Sequence, residues 1–203
     1  NDTEAGSGLL DYGQRMGEVN PGERLMRHTL HLLPLYAGLT ASIAFLLIVF
    51  GDTGLVATVH AMSIMSTSGI SSIGGLQNAA SGMLGELVLF CGMIFAVSRL
   101  TFANERKFET KTQWLNDPEI RLAVVLTLGI PLILFARHFV GSFEVNEQDN
   151  IAGALTAFWG AMFTVLSFLT TTGFESADWG AARAWSGLST PGLVLLGLAI
   201  IGG

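Results

Sequence analysis

Two short stretches of this chain share one pattern and decide how its fold is interpreted: Ser66-Thr67-Ser68-Gly69-Ile70-Ser71-Ser72 and Thr170-Thr171-Thr172-Gly173-Phe174-Glu175-Ser176. Each is a run of hydroxyl side chains around one glycine, and the second follows the first at an offset of 104 residues. Each lies at the end of an apolar segment, 55–73 in the first copy and 151–174 in the second. The sequence therefore contains an internal repeat with a glycine-centred turn in each copy.

Long apolar blocks flank both of these segments. They cover residues 30–50, 83–103, 120–140 and 188–203. A helix of about 20 apolar residues crosses the hydrocarbon core of a bilayer, which is about 30 Å thick. The third block has a clear start, because Asp117 can cap the helix, Pro118 suits its first position and Glu119 complements its dipole. We predict a membrane-spanning helix over each block.

The composition agrees with an integral membrane protein. Of the 203 residues, 50% are hydrophobic and 13% are charged, whereas soluble domains average about 25% charged residues. The net charge of −6 argues against a nucleic-acid-binding protein, and the single cysteine, Cys91, excludes a disulfide scaffold. No cofactor or transition-metal site is expected, since the four histidines share no ligand spacing.

The segments 55–73 and 151–174 are too short, or too interrupted by Ser, Thr and Gly, to span a membrane alone. We predict that each is a re-entrant half-helix followed by irregular backbone, which protein or a water-filled cavity must satisfy. The predicted fold is an all-α integral membrane protein of tandem helix–pore loop–helix repeats. Its parts are an N-terminal segment (1–29), a first repeat (30–103), a linker (104–119) and a second repeat (120–203) that we expect to be cut short at Gly203.

Basic residues predict the orientation of the chain. Arg15, Arg24 and Arg27 precede the first block, and five more surround the loop between the second and third blocks: Arg99, Arg106, Lys107, Lys111 and Arg121. The positive-inside rule makes this face cytoplasmic, so the N-terminal segment and the linker lie inside and both pore loops enter from outside. The expected location is a plasma (inner) membrane.

The two turns have the residue types of a cation filter. A half-helix entering from outside directs its C-terminal carbonyls, about half a negative charge, toward the middle of the membrane. A glycine after the hydroxyl residues can take positive φ and turn carbonyls inward, and such carbonyls replace the hydration shell of a monovalent cation. We place these oxygens at Thr67, Ser68 and Gly69, and at the matching Thr171, Thr172 and Gly173.

These residues resemble the Trk/Ktr/HKT superfamily of potassium and sodium transporters, and most of all its TrkH-type potassium-uptake membrane subunits. The resemblance covers about 170 residues, from Leu32 to Gly203. It is carried by Ala61-Met62-Ser63 with Ser68-Gly69-Ile70-Ser71, by Trp114 with Asp117-Pro118-Glu119-x-Arg121, by Thr170-Thr171-Thr172-Gly173-Phe174 and by Gly202-Gly203. In that family four repeats surround one pore, with a glycine of each pore loop at the filter.

The resemblance implies a function and a set of binding residues. Potassium or sodium would cross the membrane through the filter, binding at Thr67, Ser68, Gly69, Ile70, Thr171, Thr172, Gly173 and Phe174. This chain would supply repeats two and three, with a gating loop following Gly203. It would work in a lipid bilayer, as a homodimer paired with a cytoplasmic nucleotide-binding regulatory subunit. Two repeats cannot close a four-sided pore alone.

Two alternatives to transport follow from the same residues. An intramembrane serine hydrolase is suggested by Ser66-Thr67-Ser68-Gly69 with nearby histidines, but His60 lies on the same half-helix and cannot easily reach Ser66 or Ser68. The other alternative is a non-conducting repeat that supports a neighbouring pore. Glu86, near the outer end of the second block, is expected to face the outer vestibule.

Overall fold

Seven α-helices and one 3₁₀ turn form the described part of the chain in a computed structural model that covers residues 21–97, 118–141, 151–186 and 191–202. The helices are α1 (Pro21–Val49), α2 (Gly54–Met65), α3 (Gly82–Val97), α4 (Pro118–Gly141), α5 (Ile151–Leu169), α6 (Trp179–Ser186) and α7 (Pro191–Gly202), and the 3₁₀ turn is Leu76–Asn78. No strand occurs within these ranges. The prediction of an all-α fold is therefore confirmed.

The helices follow the predicted apolar blocks. α4 begins at Pro118, the residue predicted for its first position. The capping role of Asp117, the linker over residues 104–117 and most of the basic residues used for the orientation lie outside the described residues. One helix, over Leu32–Val49, is long and apolar enough to span a membrane, and four shorter apolar helices accompany it. Core helices of soluble proteins can have the same length and apolar composition.

The two segments predicted as half-helices differ in length. α2 has 12 residues and leaves its turn as irregular backbone, in agreement with the prediction. α5 has 19 residues, about 28 Å at 1.5 Å per residue, and is therefore longer than a half-helix. Gly153 and Gly160 lie within α5 and do not end it. A further difference is α6, a short helix that follows the second turn and that the sequence analysis did not predict.

The chain divides into two units, residues 1–38 and 39–203, and all the packing described from here on lies within the second. α5 is central to it and packs against α3, α4, α6 and α7. Two groups of buried apolar residues form the interior. The first joins α1, α2, α3 and α5, with Leu47, Ile64, Met93 and Phe163 among its members. The second joins α4, α5, α6 and α7, with Ala123, Val165, Trp179 and Leu198 among its members.

Polar and apolar side chains are distributed in an unusual way in residues 39–203. Large apolar side chains are exposed along the helices, including Phe45, Leu55, Val125, Ile133 and Ile200, which is 72% exposed. Polar side chains are buried instead: Asp52, His60, Ser63, Ser81, Glu86, Thr127, Thr164, Ser167, Thr170, Thr172 and Ser176. Soluble proteins rarely expose apolar patches larger than a few hundred Å². Most of these buried polar groups lie on α2, on α5 or in the second turn, whereas Asp52 pairs with Ser81 and Thr127 lies on α4.

Candidate functional site

The candidate site consists of the first turn (residues 66–72) and the second turn (residues 170–176). Both helices before them end with the same three backbone hydrogen bonds. The bonds run from Ser66 N–H to the Met62 oxygen (3.0 Å), Thr67 to Ile64 (3.2 Å) and Ser68 to Ser63 (3.0 Å), and from Thr170 to Leu166 (2.9 Å), Thr171 to Phe168 (3.1 Å) and Thr172 to Ser167 (2.8 Å). Every bond has its counterpart 104 residues away. The repeat seen in the sequence is thus also a repeat in backbone geometry.

A threonine takes the left-handed conformation in each turn. The bonds that close each helix end are those of a Schellman motif, whose left-handed residue is usually glycine. Here that residue is Thr67 (φ +48°) or Thr171 (φ +58°), and no other non-glycine residue in the described ranges has positive φ. A β-branched residue in this conformation is an outlier, with a strain of about 1–3 kcal/mol. Such strain persists only where the surroundings hold the backbone in place.

The hydroxyl groups beside these threonines hold the turns together. Ser66 Oγ donates to the Met62 oxygen at 2.8 Å, and Thr170 Oγ1 donates to the Leu166 oxygen at 3.0 Å. Each of the two hydroxyls also bonds a hydroxyl two residues later: Ser66 with Ser68 at 3.0 Å and Thr170 with Thr172 at 2.9 Å. These side-chain bonds repeat with the same offset as the backbone bonds, and they fix the strained threonines between them.

The glycines of the two turns have positive φ, +63° at Gly69 and +85° at Gly173. Their surroundings differ. A Cβ atom on Gly69 would lie 2.2 Å from the backbone oxygen of Thr172, whereas a Cβ on Gly173 would meet no atom within 4 Å. The backbones of the two turns therefore approach each other closely at Gly69. Gly69 is required by conformation and by space, and Gly173 by conformation alone.

A cavity of about 350 Å³ lies where the two turns meet. Residues of both turns and of the segment after the first turn line it: Gly69, Ser71, Gly74, Gly75, Leu76, Gln77, Gly173, Phe174 and Glu175. Among these lining residues Glu175 is the only charged one. The position equivalent to Glu175 in the first turn is Ser71, so the two repeats differ in charge at this point of the cavity.

His60 on α2 contacts Ser71, near the end of the first turn. His60 Nε2 lies 2.9 Å from Ser71 Oγ. The same hydroxyl oxygen accepts hydrogen bonds from the N–H groups of Ile73 (3.3 Å) and Gly75 (3.1 Å). His60 is fully buried, and its Nδ1 has no partner among the described residues. The histidine thus anchors the loop that lines the cavity.

Two side chains on α5 form hydrogen bonds with the part of the second turn that follows Gly173. Ser167 Oγ accepts from the Phe174 N–H at 2.7 Å, and Thr164 Oγ1 accepts from the Ser176 N–H at 3.2 Å. Thr164 is 104 residues after His60, so one helix position anchors the turn in each repeat. The ring of Phe174 also packs edge-on against His60, with centroids 5.6 Å apart. This contact joins the two repeats.

Glu86 on α3 is buried, with 4% of its surface exposed, and does not face an outer vestibule as the sequence analysis expected. Its Oε2 accepts hydrogen bonds from Trp159 Nε1 (2.9 Å) and Ser176 Oγ (2.7 Å). Its Oε1 accepts from the Ala177 N–H at 2.5 Å. The partners are 73 to 91 residues away, and this is why no local sequence pattern reveals the contact.

The structure places three of the eight predicted binding residues at the cavity between the two turns. Gly69, Gly173 and Phe174 line the cavity. Thr172 is buried, Thr67 is half-buried, and Ser68 and Thr171 are exposed. Ile70 is 61% exposed. The signal for the turns was present in the sequence, but His60, Ser71, Thr164, Ser167 and Glu86 were missed as site residues. The first four bond to residues within 12 positions but do not form a recognisable motif, and Glu86 bonds to residues 73 to 91 positions away.

In the structure the serine paired with His60 is not one of those that suggested a hydrolase, Ser66 and Ser68. The hydrogen bonds of Ser66 and Ser68 run to each other, to Ser63 and to Met62, and not to a histidine. The serine beside His60 is Ser71. A general base in a triad is oriented by a third group, whereas Nδ1 of His60 has no such partner in the described part of the chain.

Neither a metal cluster nor a relative identifies the site. Within the described residues no group of three His, Cys, Asp or Glu side chains could hold a metal ion. The chain matches no family model, no curated protein and no solved structure.

Proposed function

We propose that the two turns form part of a filter through which a monovalent cation, potassium or sodium, crosses a membrane. The backbone oxygens around Thr67–Gly69 and Thr171–Gly173 would replace the hydration shell of the ion, as carbonyl groups do in ion-selective pores. The chain would supply two of the repeats around this pathway. The transported ion is the substrate, and no other cofactor is needed.

The distribution of side chains supports a membrane location. Exposed apolar residues are found on all the long helices of residues 39–203, while hydroxyl, carboxylate and imidazole groups are buried around the two turns. Water does not favour this arrangement, but lipid does, because lipid solvates apolar side chains and leaves polar groups to pair inside the protein. α4 also contains an internal proline, Pro131, which is more frequent in membrane helices than in soluble ones.

The observation that carries the filter proposal is the close approach of two turns whose helix ends have matching backbone hydrogen bonds. Each turn has a strained threonine followed two residues later by a glycine of positive φ, and Gly69 packs against the Thr172 oxygen. The side-chain hydroxyls of residues 66, 68, 170 and 172 already bond within their own turns. The backbone oxygens of the turns are thus the natural ligands for an ion, and the cavity between the turns would be its entrance.

The wider setting of the pathway rests on the resemblance to the Trk/Ktr/HKT superfamily. We propose a multi-pass protein of the plasma (inner) membrane in which both turns open to the outside and the N-terminal segment and linker face the cytoplasm. A homodimer and a cytoplasmic nucleotide-binding subunit complete the proposed assembly. These partners would regulate the pathway, while selectivity would reside in the turns.

The proposal predicts how glycine variants of the full-length protein affect growth of a bacterial host that lacks potassium uptake. The parent should restore growth at low potassium. Gly69→Ala should abolish rescue, because its Cβ would collide with the Thr172 oxygen and its φ is positive. Gly173→Ala should weaken rescue less, because it introduces strain without a collision.

A matched control separates filter effects from general effects of adding a methyl group. Gly129 lies within α4, has no atom within 4 Å of its would-be Cβ and has no positive φ, so Gly129→Ala should rescue growth like the parent. Membrane levels of all four proteins are compared by immunoblotting. Equal rescue by Gly69→Ala and Gly129→Ala would contradict a role of the turns in ion passage.

The hydrolase alternative is retained because His60 and Ser71 form a hydrogen-bonded pair at the cavity. Two features make it weaker than the transport proposal. Ser71 Oγ already accepts two backbone N–H groups, and its equivalent in the second repeat is Glu175, which offers no nucleophilic hydroxyl. The scaffold alternative predicts no rescue by a correctly inserted parent, in contrast to the transport proposal.

A further inference from the structure

Among the carboxylates of the described residues, Glu86 is the one that links the two repeats through hydrogen bonds next to the candidate site. It lies on α3, which follows the first turn, yet all three of its hydrogen-bond donors belong to the second repeat. Two of them, Ser176 and Ala177, are in or directly after the second turn, three and four residues after Gly173. The side chain therefore contacts the part of the chain that leaves the proposed filter.

The contacts of Ser176 make this attachment rigid. Its hydroxyl donates to Glu86 Oε2 at 2.7 Å and accepts from the Asp178 N–H at 3.1 Å. Its backbone N–H donates to Thr164 Oγ1 at 3.2 Å. Ser176 is thereby held from α5 on one side and from α3 on the other. A shift of the Glu86 carboxylate would move the residues that follow Gly173.

The third donor ties Glu86 to the aromatic packing of α5. Trp159 Nε1 donates to Oε2, and the indole ring packs against Phe90 at 5.4 Å and Phe163 at 6.5 Å between centroids. Phe90 is one helical turn after Glu86 on α3. The packed aromatic rings thus fix the indole that donates to Oε2, while Oε1 accepts the hydrogen bond from the Ala177 N–H.

We propose that Glu86 is a positioning residue for the second turn and so sets the ion selectivity of the pathway. The inference rests on the proposed function. The carboxylate can accept all three hydrogen bonds because it offers two acceptor oxygens and no donor. The first turn has its own anchor in His60, so the two turns are positioned by different chemistry: an imidazole from the same repeat and a carboxylate from the neighbouring one.

The substitution Glu86→Gln tests this role with almost no change of size. A glutamine has a single acceptor oxygen, so its NH₂ group must face either the Ala177 N–H or the Trp159 and Ser176 donors. One side of the cluster then has donors facing each other, which leaves buried polar groups unpaired. We expect a loss of about tenfold in the preference for one monovalent cation over the other, equivalent to about 1.4 kcal/mol.

The experiment measures competition of potassium and sodium with radioactive rubidium for uptake into vesicles that contain the full-length protein. Trp159→Phe and Ser176→Ala each remove one donor while retaining a similar shape, and each should shift the preference in the same direction by less. Glu86→Gln combined with Ser176→Ala should change it by less than the sum of the two, because both act on one contact. Leu87→Met, at an exposed neighbouring position on α3, keeps an apolar side chain of similar size and should leave the preference unchanged.

The outcomes separate this inference from the proposed function. If the parent shows no cation uptake, both fail. If the parent takes up cations selectively and Glu86→Gln lowers only thermal stability or protein level, with the preference of the remaining protein unchanged, Glu86 has a structural role alone and this inference is wrong while the proposed function stands.

Discussion

At the scale of single residues, the two turns are defined by conformations that most side chains avoid. The sequence predicted positive φ at Gly69 and Gly173, since glycine tolerates it. It did not predict the same for Thr67 and Thr171, because β-branched residues disfavour that region and no residue type signals a Schellman motif that ends in threonine. The strain became visible only with the backbone in place.

The strain at Thr171 predicts a stabilising substitution. Thr171 is exposed, and replacing it with glycine removes the conformational penalty, so Thr171→Gly should raise the free energy of unfolding by roughly 1 kcal/mol. Thermal unfolding of the purified protein in detergent measures this as a higher midpoint. Thr58→Gly, at an exposed position inside α2, should lower the midpoint, because glycine weakens a helix by about 1 kcal/mol. A lower midpoint for both variants would contradict strain at Thr171.

At the scale of helices, the apolar blocks predicted where the helices lie, but the lengths of the helices depend on how they pack against one another. The block over 120–140 became α4, starting at Pro118 as its capping pattern predicted. α5 extended to 19 residues, beyond the expected half-helix, because it packs against four other helices. α6 was missed since it has only eight residues, too few for an apolar pattern to stand out in the sequence, and it directly follows the second turn.

The exposed faces of the helices predict the reactivity of the only cysteine. Cys91 lies on α3 and is exposed in the structure, so in the proposed membrane setting lipid covers it. A membrane-impermeant maleimide should label it slowly in intact vesicles and rapidly after denaturation in detergent. Thr53→Cys in a Cys91→Ser background, at an exposed position before α2, should react rapidly in vesicles opened to both sides. Rapid labelling of Cys91 in intact vesicles would contradict burial of α3 in the bilayer.

At the scale of the whole molecule, one offset of 104 residues relates the sequence, the hydrogen bonds of the helix ends and the positive φ angles. The repeat could be predicted because hydroxyl and glycine residues at fixed spacing are visible in a sequence. The contacts between repeats could not, since Gly69 with Thr172, His60 with Phe174 and Glu86 with Ser176 join residues about 90 to 115 positions apart. These contacts are what make two turns into one candidate site.

The central claim is that the paired turns line a pathway for a monovalent cation, and uptake of radioactive rubidium by the purified full-length protein in lipid vesicles tests it most directly. The account predicts saturable uptake by the parent and by Gly129→Ala, competed by unlabelled potassium or sodium, and loss of uptake or of its ion preference in Gly69→Ala. No uptake by the parent, or uptake with the same ion preference in Gly69→Ala, would contradict it.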